Sequence, residues 1–111
     1  MTVFVIQNQQ RRDGDGQLRD VYDYSPAEEF GEIEFLLSPT AAPWSPEPVI
    51  AELREKLSGF SQDDYLLLSG NPVLMALASM IAADEAGTVN FLQWHGRDRR
   101  YIPVTAEIWL D

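Results

Sequence analysis

Apolar positions in this chain fall into runs of distinct kinds, and each kind predicts an element. Residues 65–68, Tyr-Leu-Leu-Leu, form an unbroken apolar run bounded by turn residues. Strands buried on both faces read this way, so the run predicts a central strand. Residues 72–86 are apolar nearly all round until Asp84 and Glu85. That predicts a helix covered on most sides, by the sheet and by a neighbouring subunit if the chain self-associates. Asn71 and Pro72 suit its N-cap and first helical position, and Gly87 its stop. Residues 88–94 then read as a strand, His95-Gly96-Arg97-Asp98 as a hairpin turn, and residues 99–108 as the return. Strand, buried helix and strand in succession make a β-α-β unit, which implies a parallel sheet.

The N-terminal half has shorter periods. Residues 2–10 predict a first strand, with Val3, Val5 and Gln7 alternating with Phe4, Ile6 and Asn8. Both faces start apolar, so both should be covered. Arg12-Asp13-Gly14-Asp15-Gly16 signals a hairpin turn, and residues 18–24 return until Ser25-Pro26. Residues 32–37 predict a third strand, with Ile33, Phe35 and Leu37 inward and Glu32 and Glu34 outward. Residues 38–44 carry two prolines and read as a loop. Ser45-Pro46-Glu47 opens a first helix, with Ser45 as N-cap. Its apolar stripe is Val49, Ile50, Leu53 and Leu57, and Ser58-Gly59 closes it. Pro103 cannot donate to a ladder, which places its strand at an edge or a bulge. The order is β-β-β-α-β-α-β-β. This is one α/β domain over residues 1–111, a mixed α+β fold with a single mixed sheet, two helices, and hairpins flanking a βαβαβ core.

Composition narrows the chemistry. With 45% apolar residues in 111, the core needs no covalent staple. The absence of cysteine excludes disulfides, thiolate metal sites and a cysteine nucleophile. The N-terminus lacks the charged region of a signal peptide, and no apolar run approaches the roughly 20 residues that span a bilayer. A cytoplasmic protein without a membrane partner is the expectation. A net charge of −10 disfavours direct nucleic-acid binding and favours a protein partner with a basic surface.

Candidate sites are few. Ser69-Gly70-Asn71 is a strand-to-helix turn whose free N–H groups suit a small ligand or an anion. Plain capping predicts the same residues. No phosphate-loop or dinucleotide motif occurs. Asp13 and Asp15 share a turn with two glycines, but further oxygen ligands for calcium are missing, so a hairpin explains them. His95 is the only histidine, and no motif links it to Ser69 or Asp98 as a relay. The expectation is a protein with no catalytic residues, no metal and no cofactor.

Acidic residues crowd the region 20–53, which holds no Lys or Arg. Asp20, Asp23, Glu28, Glu29, Glu32 and Glu34, with Trp44 in its proline-rich loop, are the candidate partner-binding residues. A solvated face is the bland account of the charges, and a cover over the core is the bland account of Trp44. A DNA mimic directed at a nucleic-acid-binding protein is the alternative. Arginines instead flank the two hairpins, Arg11, Arg12 and Arg19 at one and Arg97, Arg99 and Arg100 at the other. Adjacent hairpins would give the molecule one basic end, suited to steering or self-association. Among the aromatics, which include Trp109, Trp94 and Tyr101 should face each other across the last hairpin.

One resemblance supplies context. The segment Tyr65-Leu66-Leu67-Leu68-Ser69-Gly70-Asn71-Pro72, its apolar helix, and Asn90-Phe91-Leu92-Gln93-Trp94-His95-Gly96-Arg97-Asp98-Arg99-Arg100-Tyr101-Ile102-Pro103-Val104 resemble small accessory proteins of tailed bacteriophages and related mobile elements. The resemblance covers about the C-terminal half and brings no catalytic residues with it. It implies a short protein made in an infected bacterium that acts by binding a host or phage protein.

Overall fold

A computed structural model describes residues 1–108. Trp109 lies outside the described residues. The chain runs β1 (Thr2–Gln7), β2 (Gln10–Arg12), β3 (Leu18–Asp20), a 3-10 helix (Ser25–Phe30), β4 (Glu32–Leu37), α1 (Pro46–Lys56), β5 (Tyr65–Leu67), α2 (Pro72–Ala86), β6 (Thr88–His95) and β7 (Arg100–Glu107). Five strands form one mixed sheet in the order β4-β1-β5-β6-β7. The first four are parallel, and β7 returns antiparallel on β6. The expected βαβαβ core is β4-α1-β5-α2-β6. The tetrapeptide run at 65–68 does lie mid-sheet, between β1 and β6.

Strand order and handedness together decide which face each connection covers. From β4 to β5 and from β5 to β6 the chain moves across the sheet in one direction, and from β1 to β4 in the other. Right-handed crossovers therefore put α1 and α2 on one face and the β1–β4 connection on the opposite face. Packing agrees. Phe4, Ile6 and Leu66 join Val49, Leu53, Leu74 and Ala78 of the helices. Val3, Val5, Leu67 and Leu92 join Tyr24 and Ala27 from the 3-10 segment. This is why β1 is apolar at consecutive positions: Val3 to Ile6 are all buried, alternately on two faces. Each such side chain contributes roughly 1.5–3 kcal/mol by leaving water.

Several details depart from the sequence reading, among them Phe35, expected inward but 43% exposed. The first strand stops at Gln7, and the hairpin pairs only with itself, as a separate two-stranded sheet of β2 and β3. Five of its six residues are polar, Leu18 is exposed, and only Gln10 is partly buried, so little draws it onto the main sheet. Residues 21–24 are consequently not strand, and the Ser25-Pro26 expected to end a strand instead begins the 3-10 helix. The expected capping of α1 by the Ser45 side chain also fails, since Ser45 makes no cap hydrogen bond.

α2 begins and ends where its caps predict. The Asn71 side chain accepts from the Val73 N–H at 2.8 Å. Gly87, at φ 75°, donates its N–H to the Ala83 carbonyl. Only one side of this apolar helix is covered, for Leu74, Ala78, Ile81 and Ala82 are buried while Met80 remains 65% exposed. Pro103 is on β7, which is an edge strand as expected. No helix among the described residues is long and apolar enough to cross a membrane.

Candidate functional site

Two surface features gather the candidate residues. The first is a cleft of about 610 Å³ at the carboxyl ends of β1, β5 and β6. The connection leaving β1 goes to one face and that leaving β5 to the other, so a gap opens between their ends. Open α/β sheets bind ligands at such a switch point. Its floor includes Ser69 and Tyr24, whose hydroxyl oxygens are 2.9 Å apart and share a buried hydrogen bond. Tyr24 also accepts from the Gln9 N–H at 3.4 Å. Trp94 and Tyr101, paired across β6 and β7 with centroids 5.0 Å apart, form one wall. Tyr22 and Asp23 stand on the wall that follows β3.

The turn Ser69-Gly70-Asn71 borders this cleft but is filled from within. Gln7 is buried at the end of β1. Its Oε1 accepts from the Asn71 N–H at 2.9 Å, and its Nε2 donates to the Ser38 carbonyl at 3.1 Å. Gly70 has φ 110°, and a Cβ there would lie 2.5 Å from Gln7 Cβ. Gly70 therefore permits close approach, but the group that approaches is Gln7. Two of the helix-start donors, Asn71 N–H and Val73 N–H, already have protein acceptors.

Electrostatics in the cleft follow from these contacts. Hydrogen bonding from Ser25 holds the Asp23 carboxyl below its usual range. Burial, with Tyr24 and Asp23 nearby, pushes the Tyr101 phenol from 10 up to about 12. The folded state thus favours the neutral phenol. Between pH 10 and 12 the unfolded chain releases this proton while the folded chain keeps it, so stability falls as pH rises through that window. Urea unfolding midpoints should drop above pH 10, and the drop should be shallower in Tyr101→Phe.

The second feature is acidic. Glu28, Glu29, Glu32 and Glu34 line one shallow depression of about 840 Å³ at the start of edge strand β4. All four are exposed, and among the described residues none makes an ion pair. The two aspartates grouped with them in sequence are elsewhere. Asp20, on β3, accepts from Asn8 and Gln10, and Asp23 is in the cleft. Trp44 does not cover the core. It is 83% exposed in the loop between β4 and α1, at the other end of β4 from the glutamates.

Remaining candidates resolve simply. Asp13 is the hub of the β2–β3 turn. It accepts from the Asp15 and Gln17 N–H groups and pairs with Arg19 at 2.9 Å, and these contacts, Arg19 foremost, lower its pKa. His95 Nδ1 accepts from the Asp98 N–H at 3.3 Å, within its own hairpin. Ser69 is bonded to Tyr24 rather than to His95, so the three residues form no relay. Both arginine-bearing hairpins meet the same cleft, since Gln9, Val21 and Tyr22 adjoin one and Trp94, Arg99 and Tyr101 belong to the other. No local pattern in the sequence marks the aromatic wall of this cleft as a whole. Two parts of it carry a sequence signal, the Ser69-Gly70 turn and the pairing of Trp94 with Tyr101.

Comparison with known proteins adds one finding. Residues 1–108 match the family described as phage Pam3 gp32-like protein. No curated protein and no solved structure matches the chain.

Proposed function

The chain belongs to that phage protein family, and from this premise we propose that it is a non-enzymatic accessory factor that binds a host or phage protein through its acidic surface. A bacterial cytoplasm is where it would meet that partner. The observation carrying the reading is the group of four glutamates at the start of β4, exposed and in no ion pair among the described residues. Four like charges around one depression raise the local negative potential, and a basic surface relieves it. Edge strand β4 adds unpaired backbone groups beside them. Trp44 supplies a large exposed anchor of the type that dominates interface energetics, in the loop that leaves the far end of β4.

The test is charge neutralisation at constant shape. Glu28, Glu29, Glu32 and Glu34 changed together to Gln should weaken the partner's binding by about tenfold or more, mostly through the association rate. Circular dichroism should be unchanged, because among the described residues these side chains make no hydrogen bond. Binding should weaken with salt in the wild type and respond less in the variant. DNA added as a competitor identifies the target class: displacement of the partner by DNA marks a nucleic-acid-binding target and hence a mimic.

A further inference from the structure

We infer that the cleft at the switch point is a binding site for a small ligand combining one flat aromatic ring with one anionic group, of the nucleoside monophosphate kind. This goes beyond the proposed protein contact and does not depend on it. The volume, about 610 Å³, falls within the roughly 300–1,000 Å³ of small-molecule sites. Its aromatic lining is graded. Tyr24 and Tyr101 are buried, while Tyr22 is 54% and Trp94 44% exposed. Buried rings fix the base of the cleft, and half-exposed ones leave ring surface free for a planar ligand. Base-on-aromatic stacking contributes binding without demanding a particular base.

The anionic group is indicated by charge. The protein as a whole is strongly acidic, yet six of its eight Lys and Arg residues lie on the two hairpins whose bases meet at this cleft; Arg12 and Arg19 are engaged at the β2–β3 turn, and Arg99 is the one that lines the cleft. Arg99 lines the cleft itself and has no ion pair among the described residues. It holds a turn position at φ 53°, where glycine or asparagine would be less strained. The arginine at this position puts a guanidinium on the cleft wall, suited to a phosphate or carboxylate. Asp23 limits the choice. Its ionised carboxylate, also on the wall, disfavours a polyphosphate and can accept from an amino group on the ring.

A titration of the ¹⁵N-labelled full chain tests the site. The probes are the four ribonucleoside monophosphates, the matching nucleosides, inorganic phosphate and a short single-stranded oligonucleotide. At least one monophosphate should bind saturably, shifting the Trp94 indole N–H and the Arg99 amide. Trp94→Phe identifies the indole signal. Arg99→Gly, which suits the turn, should keep the fold and weaken binding by about tenfold. The Gln variant of the four glutamates should bind the monophosphate as the wild type does, so the two sites fail or succeed separately. The inference is overturned by no saturable shift with any monophosphate, by equal binding of phosphate alone, or by an unchanged affinity in Arg99→Gly. Preferential binding of the oligonucleotide would also overturn it, by making the cleft a strand-binding surface.

Discussion

Gly70→Ala is expected to destabilise the protein by about 3 kcal/mol or more, enough to remove much of the stability of a domain this size. Two penalties act together. The backbone at φ 110° is one that alanine adopts only with strain, and the new Cβ would lie 2.5 Å from Gln7 Cβ and Oε1. Gln7 cannot simply withdraw, because its amide ties β1 to the start of α2 and to the loop after β4. Urea denaturation measures the effect. The double variant with Gln7→Ala should recover at most the part due to Oε1, because alanine keeps the Cβ at 2.5 Å and the positive φ remains. A Gly70→Ala protein within about 1 kcal/mol of wild type would mean that the Gln7 contact is not as described.

The second large effect separates the two sides of α2. Leu74→Ala should cost about 3 kcal/mol, within the usual 2–5 for a buried leucine, because Leu74 has no exposed surface. Met80→Ala on the same helix should cost no more than about 0.5 kcal/mol, as surface substitutions do. The helix is apolar on both sides, so only the fold tells these positions apart. Comparable losses at both positions would show that Met80 is covered in solution, as in a self-associated protein. Thermal or urea unfolding at two protein concentrations distinguishes that case, since association makes stability depend on concentration.

Legibility tracked how local each signal was. α2 was readable to its ends because Asn71-Pro72 and Gly87 are local caps. The Trp94–Tyr101 pair was readable because a hairpin turn sets its register. The acidic depression was readable for Glu28 to Glu34, which are neighbours in sequence, but not for Asp20 and Asp23, which the chain carries elsewhere. The 3-10 helix did have a signal, a proline at its start and Glu28 in its first turn, but it is too short to show a period. The detachment of β2 and β3 was harder to see, because a turn motif fixes pairing within a hairpin and says nothing about what the hairpin docks on. Least readable was the cleft. Tyr24 and Ser69 meet across 45 residues of sequence, and only the strand order brings the ends of β1, β5 and β6 together.

The measurement that bears most directly on the central claim is a paired capture from infected bacterial cells. The bait is the wild-type chain or its Gln variant at Glu28, Glu29, Glu32 and Glu34, each at low and moderate salt. The account predicts a protein with a basic surface that the wild type retains reproducibly, that salt releases, and that the variant loses. A partner held equally by both baits would contradict the acidic surface as the contact. Nothing held specifically by the wild type would contradict protein binding through this surface altogether.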